Sequence, residues 1–211
     1  IGSISFARLI NFMVLKTTKI SSFAEPIPHT DELFESDLIS ATLVTKKLGV
    51  KYGCMTSILD MLKVALPTLL VKLTLTQHPY FLLTAIAGII GHNYPVYYRF
   101  IGGRGESPII GALVVINWFG ILICNGAALI LGFITGSVLV VRWGAYSILI
   151  LWFWYYFKDI YYVAFMVLAN IFFYLAMSRD LLRFRELKVK KGINFSEADV
   201  SEFILMGRSL G

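Results

Sequence analysis

The sequence predicts an all-α membrane protein, a polytopic bundle of about seven transmembrane or partly re-entrant helices. Three observations lead there. Of 211 residues, 57% are hydrophobic and only 15% charged, so lipid rather than a polar skin must cover the outer surface. Apolar runs recur at 1–15, 54–74, 80–91, 109–124, 127–141, 143–157 and 160–177. Basic residues collect in alternate connections, as the positive-inside rule asks.

The first run opens directly at Ile1, with no basic start and no small-residue cleavage site. The expectation is a helix lacking its first few residues, not a signal peptide. Residues 17–40 carry Pro26, Pro28 and the acids Glu25, Asp31, Glu32, Glu35 and Asp37, which reads as a polar loop over the cytoplasmic face. Several runs fall short of the roughly 20 residues that cross about 30 Å of hydrocarbon, so some helices enter and turn back where protein covers their backbone.

Charge decides how the long run 109–141 is divided. Lys16, Lys19, Lys46, Lys47 and Lys51 lie in the first connection, and Arg99 and Arg104 in the loop before residue 109. Arg179, Arg183, Arg185, Lys188, Lys190 and Lys191 follow the last run. One helix over 109–141 would put that basic tail opposite Arg99 and Arg104. The turn pair Asn125-Gly126 splits the run and brings every basic segment to one side. Lys158-Asp159 is then left outside. The membrane domain is expected over 1–182, with a basic cytoplasmic tail at 183–211. In that tail Ser196 and Asp199 form a capping box for a short final helix. Cys54 and Cys124 sit in apolar runs and read as buried inert thiols; neither disulfide nor metal spacing is visible.

The stretch that carries chemistry is Gly91-His-Asn-Tyr-Pro-Val-Tyr-Tyr-Arg-Phe-Ile-Gly-Gly-Arg-Gly105. Gly102, Gly103 and Gly105 flank Arg104, and Arg99 precedes them. Glycines let successive N–H groups point into one concavity, and an arginine adds a planar fork suited to phosphate oxygens. The next helix starts near Ser107-Pro108, so its positive dipole end faces the same place. From the residues alone, a phosphate cradle and a glycine-rich turn with positive-inside arginines are both consistent with this pattern.

Gly91, His92, Pro95, Phe100, Gly102, Gly103 and Gly105, with Tyr94, Tyr97 and Arg104 as close variants, resemble a known motif. It reads G-H-x-F-P-x-F-x-x-F-K-G-G-K-G-V-A-T and belongs to the bacterial acyl-phosphate:glycerol-3-phosphate acyltransferase family. Gly2-Ser3-Ile4 with Phe6 is similar to that family's opening G-S-I-P-F. Leu48-Gly49, Lys51, Gly53, Ile58-Leu59-Asp60, Lys63 and Pro67 resemble its L-G-x-K-x-G…L-L-D-x-x-K-G-x-x-P. Asp60 and Lys63 share one helix face and can neutralise each other inside the apolar run.

Other motifs depart from the pattern. Of the family's S-G-S-G-N-x-G-A-T-N-x-x-R, this chain keeps Ser36, Ala41 and Thr42, with Lys46 for the arginine and Asp37 at a small-residue position. Arg142 is kept where the family has T-R-Y-V-S-L, and Ala145 replaces a serine. Asp180-Leu181-Leu182-Arg183 stands near the family's R-E-N-I-x-R-L.

The resemblance implies transfer of an acyl group from acyl-phosphate to the 1-hydroxyl of glycerol 3-phosphate, giving lysophosphatidate for phospholipid biosynthesis. It implies a bacterial-type inner membrane with the site loops and C-terminus cytoplasmic. Ser36, Lys46, His92 and Arg142 are the candidate catalytic residues. Arg99, Gly102, Gly103, Arg104 and Gly105 are the candidate phosphate-binding residues. Such chemistry positions two phosphates and an oxyanion among cations and backbone donors, so no cofactor or metal is expected. The expected partners are membrane lipid and the two substrates, with no nucleic acid. Two other readings stay open. One is an inactive descendant that serves as a membrane subunit or lipid-binding partner. The other is a shifted polyol-phosphate substrate, with Asp37 and Glu106 on its hydroxyls.

Overall fold

A computed structural model describes residues 1–17, 23–26, 33–36, 39–77 and 79–191; within its helices some side chains, those of Arg142, Arg179 and Arg183 among them, fall outside that description. The apolar runs fold as helices α1 (Phe6–Leu15), α3 (Val50–Thr74), α4 (Tyr80–Asn93), α5 (Glu106–Thr135), α6 (Val138–Phe157) and α7 (Ile160–Lys191). A short α2 (Ala41–Leu48) precedes α3, and β1 (Phe23–Pro26) pairs antiparallel with β2 (Leu33–Ser36). The connection expected to be loop throughout therefore contains a small hairpin. Asp31, Glu32 and Asp37, like the expected capping box at Ser196, lie outside the described residues.

Helix starts follow local capping rules. Ser5 accepts from the Arg8 amide, Ser40 from Leu43 and Ser137 from Val140, each satisfying an N–H the first turn leaves open. Val50–Thr74, Glu106–Thr135 and Ile160–Ser178 are each long and apolar enough to cross a membrane, although a break at Asn117 divides the second. The core joins Ile89, Ile109, Leu113, Leu149, Phe153 and Phe173. Leu122, Ile130, Phe133 and Leu151 stay exposed on the outside, which is what a lipid-facing surface requires.

Contacts between helices fix their directions. The start of α5 lies beside α3, with Ser107 hydrogen-bonded to Ser57, and α4 runs back against α3, with Gly88 over Val64. Tyr162 packs on Phe81 near the starts of α7 and α4, and Asn93 at the end of α4 donates to the Phe172 carbonyl. These two helices are parallel. α6 is antiparallel to α7, pairing Phe157 with Tyr162, Phe153 with Phe165 and Tyr146 with Phe173. The later part of α5 is in turn antiparallel to α6, with Gly120 against Trp152 and Gly132 against Val141. Helix α5 therefore begins and ends on the same side of the bundle.

The reversal sits at Asn117, whose backbone leaves the helical region at φ −158, ψ 81. Its Oδ1 accepts from the Gly120 amide at 2.6 Å, so the side chain caps the second half of α5 at its N-terminus. The carbonyl of Val115, at the end of the first half, accepts from Lys72 Nζ at 2.6 Å, a cation at a helix C-terminus. The doubling back that charge called for is present, but not at Asn125-Gly126. Asn125 remains helical and bonds the Ile121 carbonyl. The first half, 106–116, is too short to cross alone.

Exposed Trp118, Trp154, Tyr155, Tyr156 and Tyr161 gather at the end of the bundle where α5 reverses and α6 meets α7. Such a belt marks a membrane–water interface. Lys158 and Asp159 lie there too, between α6 and α7, on the side away from the glycine loop as charge counting had left them. Helix α7 runs without a break past the expected domain boundary at 182/183 to Lys191. Cys124 is buried as expected, whereas Cys54 is exposed.

Candidate phosphate-binding site

The glycine-rich loop between α4 and α5 folds back onto the end of α4. After a 3-10 turn at Val96–Tyr98, Arg99 and Phe100 both take left-handed backbone, with φ 52 and 61. The chain then lies so close to His92 and Asn93 that side chains are excluded. A Cβ on Gly103 would fall on His92 Nε2, and one on Gly105 would come within 2.5 Å of Asn93 Oδ1. Gly105 also has φ +89, a region only glycine enters freely. The glycines thus serve close packing as well as loop shape.

The polar inventory separates donors in use from donors left over. Gly103 N–H donates to the His92 carbonyl at 3.2 Å, and the Gly102 carbonyl accepts from Ile39 at 3.1 Å. The Arg104 and Gly105 amides have no hydrogen-bond partner among the described residues, although both residues are buried. Buried N–H groups left open are rare and costly. These two precede the N-terminus of α5, where no side chain caps the helix and the dipole favours an anion.

Arg104 is itself only 7% exposed. Its guanidinium turns inward, donating from Nε and Nη2 to Asp180 Oδ2 at 3.2 and 2.9 Å. Three of its five N–H groups remain. A second arginine approaches from α1: Arg8 Nη2 donates to the Ile101 carbonyl at 3.3 Å, and its guanidinium lies 4.5 Å from the Tyr98 ring centre. The Arg8 Nε is buried without a partner.

Under the loop lies a buried charged cluster. Lys63 Nζ is 2.7 Å from Asp60 Oδ1, 2.7 Å from the Ile4 carbonyl and 2.9 Å from His92 Nδ1. All three residues, Asp60, Lys63 and His92, are buried. A cavity of about 340 Å³, lined by Gly2, Ser3, Lys63, Pro67, Thr84 and Gly88 among others, opens beside this cluster.

Of the residues singled out from sequence, the structure therefore brings together His92, Gly102, Gly103, Arg104 and Gly105. Arg99 is exposed at the rim of the loop. Lys46 is half-buried on α2, a helix that packs through Leu43 and Val44 on Ala7 and Ile10 of α1. Ser36 ends β2, three positions before the Ile39 amide that ties the chain to Gly102, and Arg142 lies in the first part of α6, on the loop side. For Ser36 and Arg142 the described residues include the backbone only.

A family profile described as glycerol-3-phosphate acyltransferase matches residues 32–186. The chain belongs to that family. It is 42% identical over 86 residues to glycerol-3-phosphate acyltransferase 1 of Oceanobacillus iheyensis, covering 37% of this chain and 42% of the relative. With the glycerol-3-phosphate acyltransferase of Lactiplantibacillus plantarum it shares 32% identity over 136 residues, 62% of this chain and 64% of the other. The matched stretch thus spans less than half of the first relative's length and under two thirds of the second's. The fold is similar to PlsY, an integral membrane glycerol 3-phosphate acyltransferase solved in a glycerol 3-phosphate form. That similarity has a TM-score of 0.67 at 22% identity, over 94% of this chain and 92% of that one. A lysphosphatidic acid form of PlsY gives 0.63.

In this member of the acyltransferase family, two participants escape the sequence reading. Asp180 lies 76 positions from Arg104; the only local signal is an acid in helical register after the last apolar run. Arg8 carried a plainer one, since an arginine inside an apolar helix needs a buried partner or a cavity. His92 was noted, but its place beside Asp60 and Lys63 follows from α4 packing on α3.

Proposed function

We propose that this protein transfers an acyl group to the 1-hydroxyl of glycerol 3-phosphate, with acyl-phosphate as donor, at the cytoplasmic face of a bacterial inner membrane. The observation that carries the reading is the pair of unpartnered amides at Arg104 and Gly105. They sit at an uncapped helix N-terminus beside an inward-turned guanidinium. That is donor geometry for a phosphoryl group.

In the proposed reaction the glycerol 1-hydroxyl oxygen attacks the acyl carbonyl carbon and the bond from that carbon to the phosphate oxygen breaks. The hydroxyl proton leaves with the departing phosphate, and the product is lysophosphatidate. Gly102, Gly103, Arg104 and Gly105 hold the glycerol phosphate, with Arg99 at the rim. Ser36, Lys46 and Arg142 act around the acyl-phosphate, and His92 supports the loop from below. Basic residues on the loop side give the orientation, with about seven apolar segments once α5 is divided at Asn117. Residues 183–191 continue α7 on the loop side, which this orientation makes cytoplasmic.

The test is purified protein in lipid vesicles, supplied with acyl-phosphate and radiolabelled glycerol 3-phosphate. Labelled lysophosphatidate should form, and Arg104→Ala should abolish it. Protein that makes none, and instead co-purifies tightly with other membrane subunits, would overturn the proposal in favour of a non-catalytic role. Turnover of another polyol phosphate in its place would move the substrate assignment.

A further inference from the structure

The Asp60–Lys63–His92 cluster has no part in holding substrate as described so far, yet it touches the glycine loop directly. An ammonium group has three N–H donors and no acceptor. Lys63 Nζ donates to the Ile4 carbonyl at 2.7 Å and meets His92 Nδ1 at 2.9 Å; its 2.7 Å approach to Asp60 Oδ1 is an ion pair, and that same oxygen lies 3.5 Å from His92 Nδ1. A charged ammonium can only donate, so the 2.9 Å contact, shorter than the 3.5 Å from Nδ1 to Asp60 Oδ1, calls for a lone pair on Nδ1. A neutral His92 must therefore carry its proton on Nε2. That corner of the ring faces Gly103: a Cβ there would meet Nε2 first, then Cε1 at 2.8 Å and Cδ2 at 3.1 Å. No acceptor among the described residues takes the Nε2 proton. The Arg104 amide, also open, belongs to the next residue of the chain.

We propose that Lys63 is a positioning residue for the phosphate site. By donating to Nδ1 it holds His92 in the Nε2–H tautomer, so that the ring offers the loop a hydrogen-bond donor rather than a lone pair. The anion then meets one more donor, and His92 is not a base toward the glycerol hydroxyl. The inference rests on the phosphate-binding reading above and assigns a role to a residue outside that site.

The protein has three histidines. With His29→Gln and His78→Gln, the only imidazole signals of ¹⁵N-histidine-labelled protein in lipid nanodiscs come from His92. At neutral pH the expected spectrum has a protonated Nε2 and a bare Nδ1, and glycerol 3-phosphate shifts the Nε2 resonance. Lys63→Met should mix the tautomers and raise the Kd for glycerol 3-phosphate about 10-fold, the loss of one charge-assisted hydrogen bond. Because that variant leaves Asp60 buried without its cation, Asp60→Asn with Lys63→Met serves as the second variant, with the same expectation. A proton on Nδ1 in the parent protein would overturn the inference. So would an Nε2 signal indifferent to glycerol 3-phosphate, or an unchanged Kd in the folded variants. Acyl transfer by the parent protein is assayed alongside. Normal transfer with a proton on Nδ1 removes only the Lys63 role; no transfer, with Nε2 still responding to glycerol 3-phosphate, removes only the enzymatic reading.

Discussion

Arg104 and Asp180 form a buried ion pair in which a single carboxylate oxygen accepts from both Nε and Nη2 of the guanidinium, at 3.2 and 2.9 Å. The pair ties the glycine loop to the end of the last transmembrane segment. It uses one edge of the guanidinium and leaves the other for an anion. Removing one member strands the other charge in a low-dielectric setting, which is far worse than removing both. Asp180→Ala should cost about 3–5 kcal/mol of stability, read as a lowered unfolding temperature in detergent. Arg104→Met combined with Asp180→Leu should recover much of that loss without recovering glycerol 3-phosphate binding. A double variant no more stable than the single would show that the pair is not the source of the loss.

Glycines in the same chain are expected to respond in opposite directions. At Gly103 an added methyl falls on the His92 ring, so Gly103→Ala should displace the loop and weaken glycerol 3-phosphate binding sharply. At Gly126, exposed and mid-helix, a Cβ meets nothing within 4 Å. Gly126→Ala should therefore stabilise by about 0.5–1 kcal/mol through helix propensity alone. Thermal melts and phosphate binding on both variants check the contrast.

Asn117 is expected to matter for topology as well as stability. Its side chain caps the Gly120 amide at 2.6 Å; Asn117→Ala should cost about 0.5–2 kcal/mol, measurable by thermal unfolding. Asn117→Asp keeps the accepting oxygen and should retain the parent's stability more closely than Asn117→Ala. Equal melts for the two variants would remove the capping argument.

Sidedness can be read by labelling. In a background where Cys54 and Cys124 are replaced, single cysteines at Arg99 and Gly136 should react with an impermeant thiol reagent from one side of sealed vesicles. Cysteines at Gln77 and Lys158 should react only from the other. Gly136 labelling together with Gln77 would mean that α5 crosses once and that Asn117 is a kink rather than a reversal.

Lys72 offers a local check on the same reversal. Its ammonium satisfies the Val115 carbonyl at the end of the first half of α5, where a positive charge complements the helix dipole. Lys72→Met should destabilise by about 0.3–1 kcal/mol, and Lys72→Arg less. Neither should alter glycerol 3-phosphate affinity, since α3 carries Lys72 to the far end of the bundle from the loop.

Composition alone placed this chain in a membrane, because an excess of apolar side chains over polar ones cannot be covered by water whatever the fold. Charge counting alone required the run 109–141 to double back. The glycines around Arg104 marked the loop, since a strained, side-chain-free segment beside a cation is a local property that local sequence records. Where the chain reverses was not legible: Asn117 and Asn125 are equally good turn residues in isolation. Only packing against α6 and Lys72 decides which one leaves the helix. The partner of Arg104 was equally hidden, as was the meeting of Lys63 with His92. Each joins residues far apart in sequence, and such contacts form only when helices settle side by side and every buried charge must find its complement.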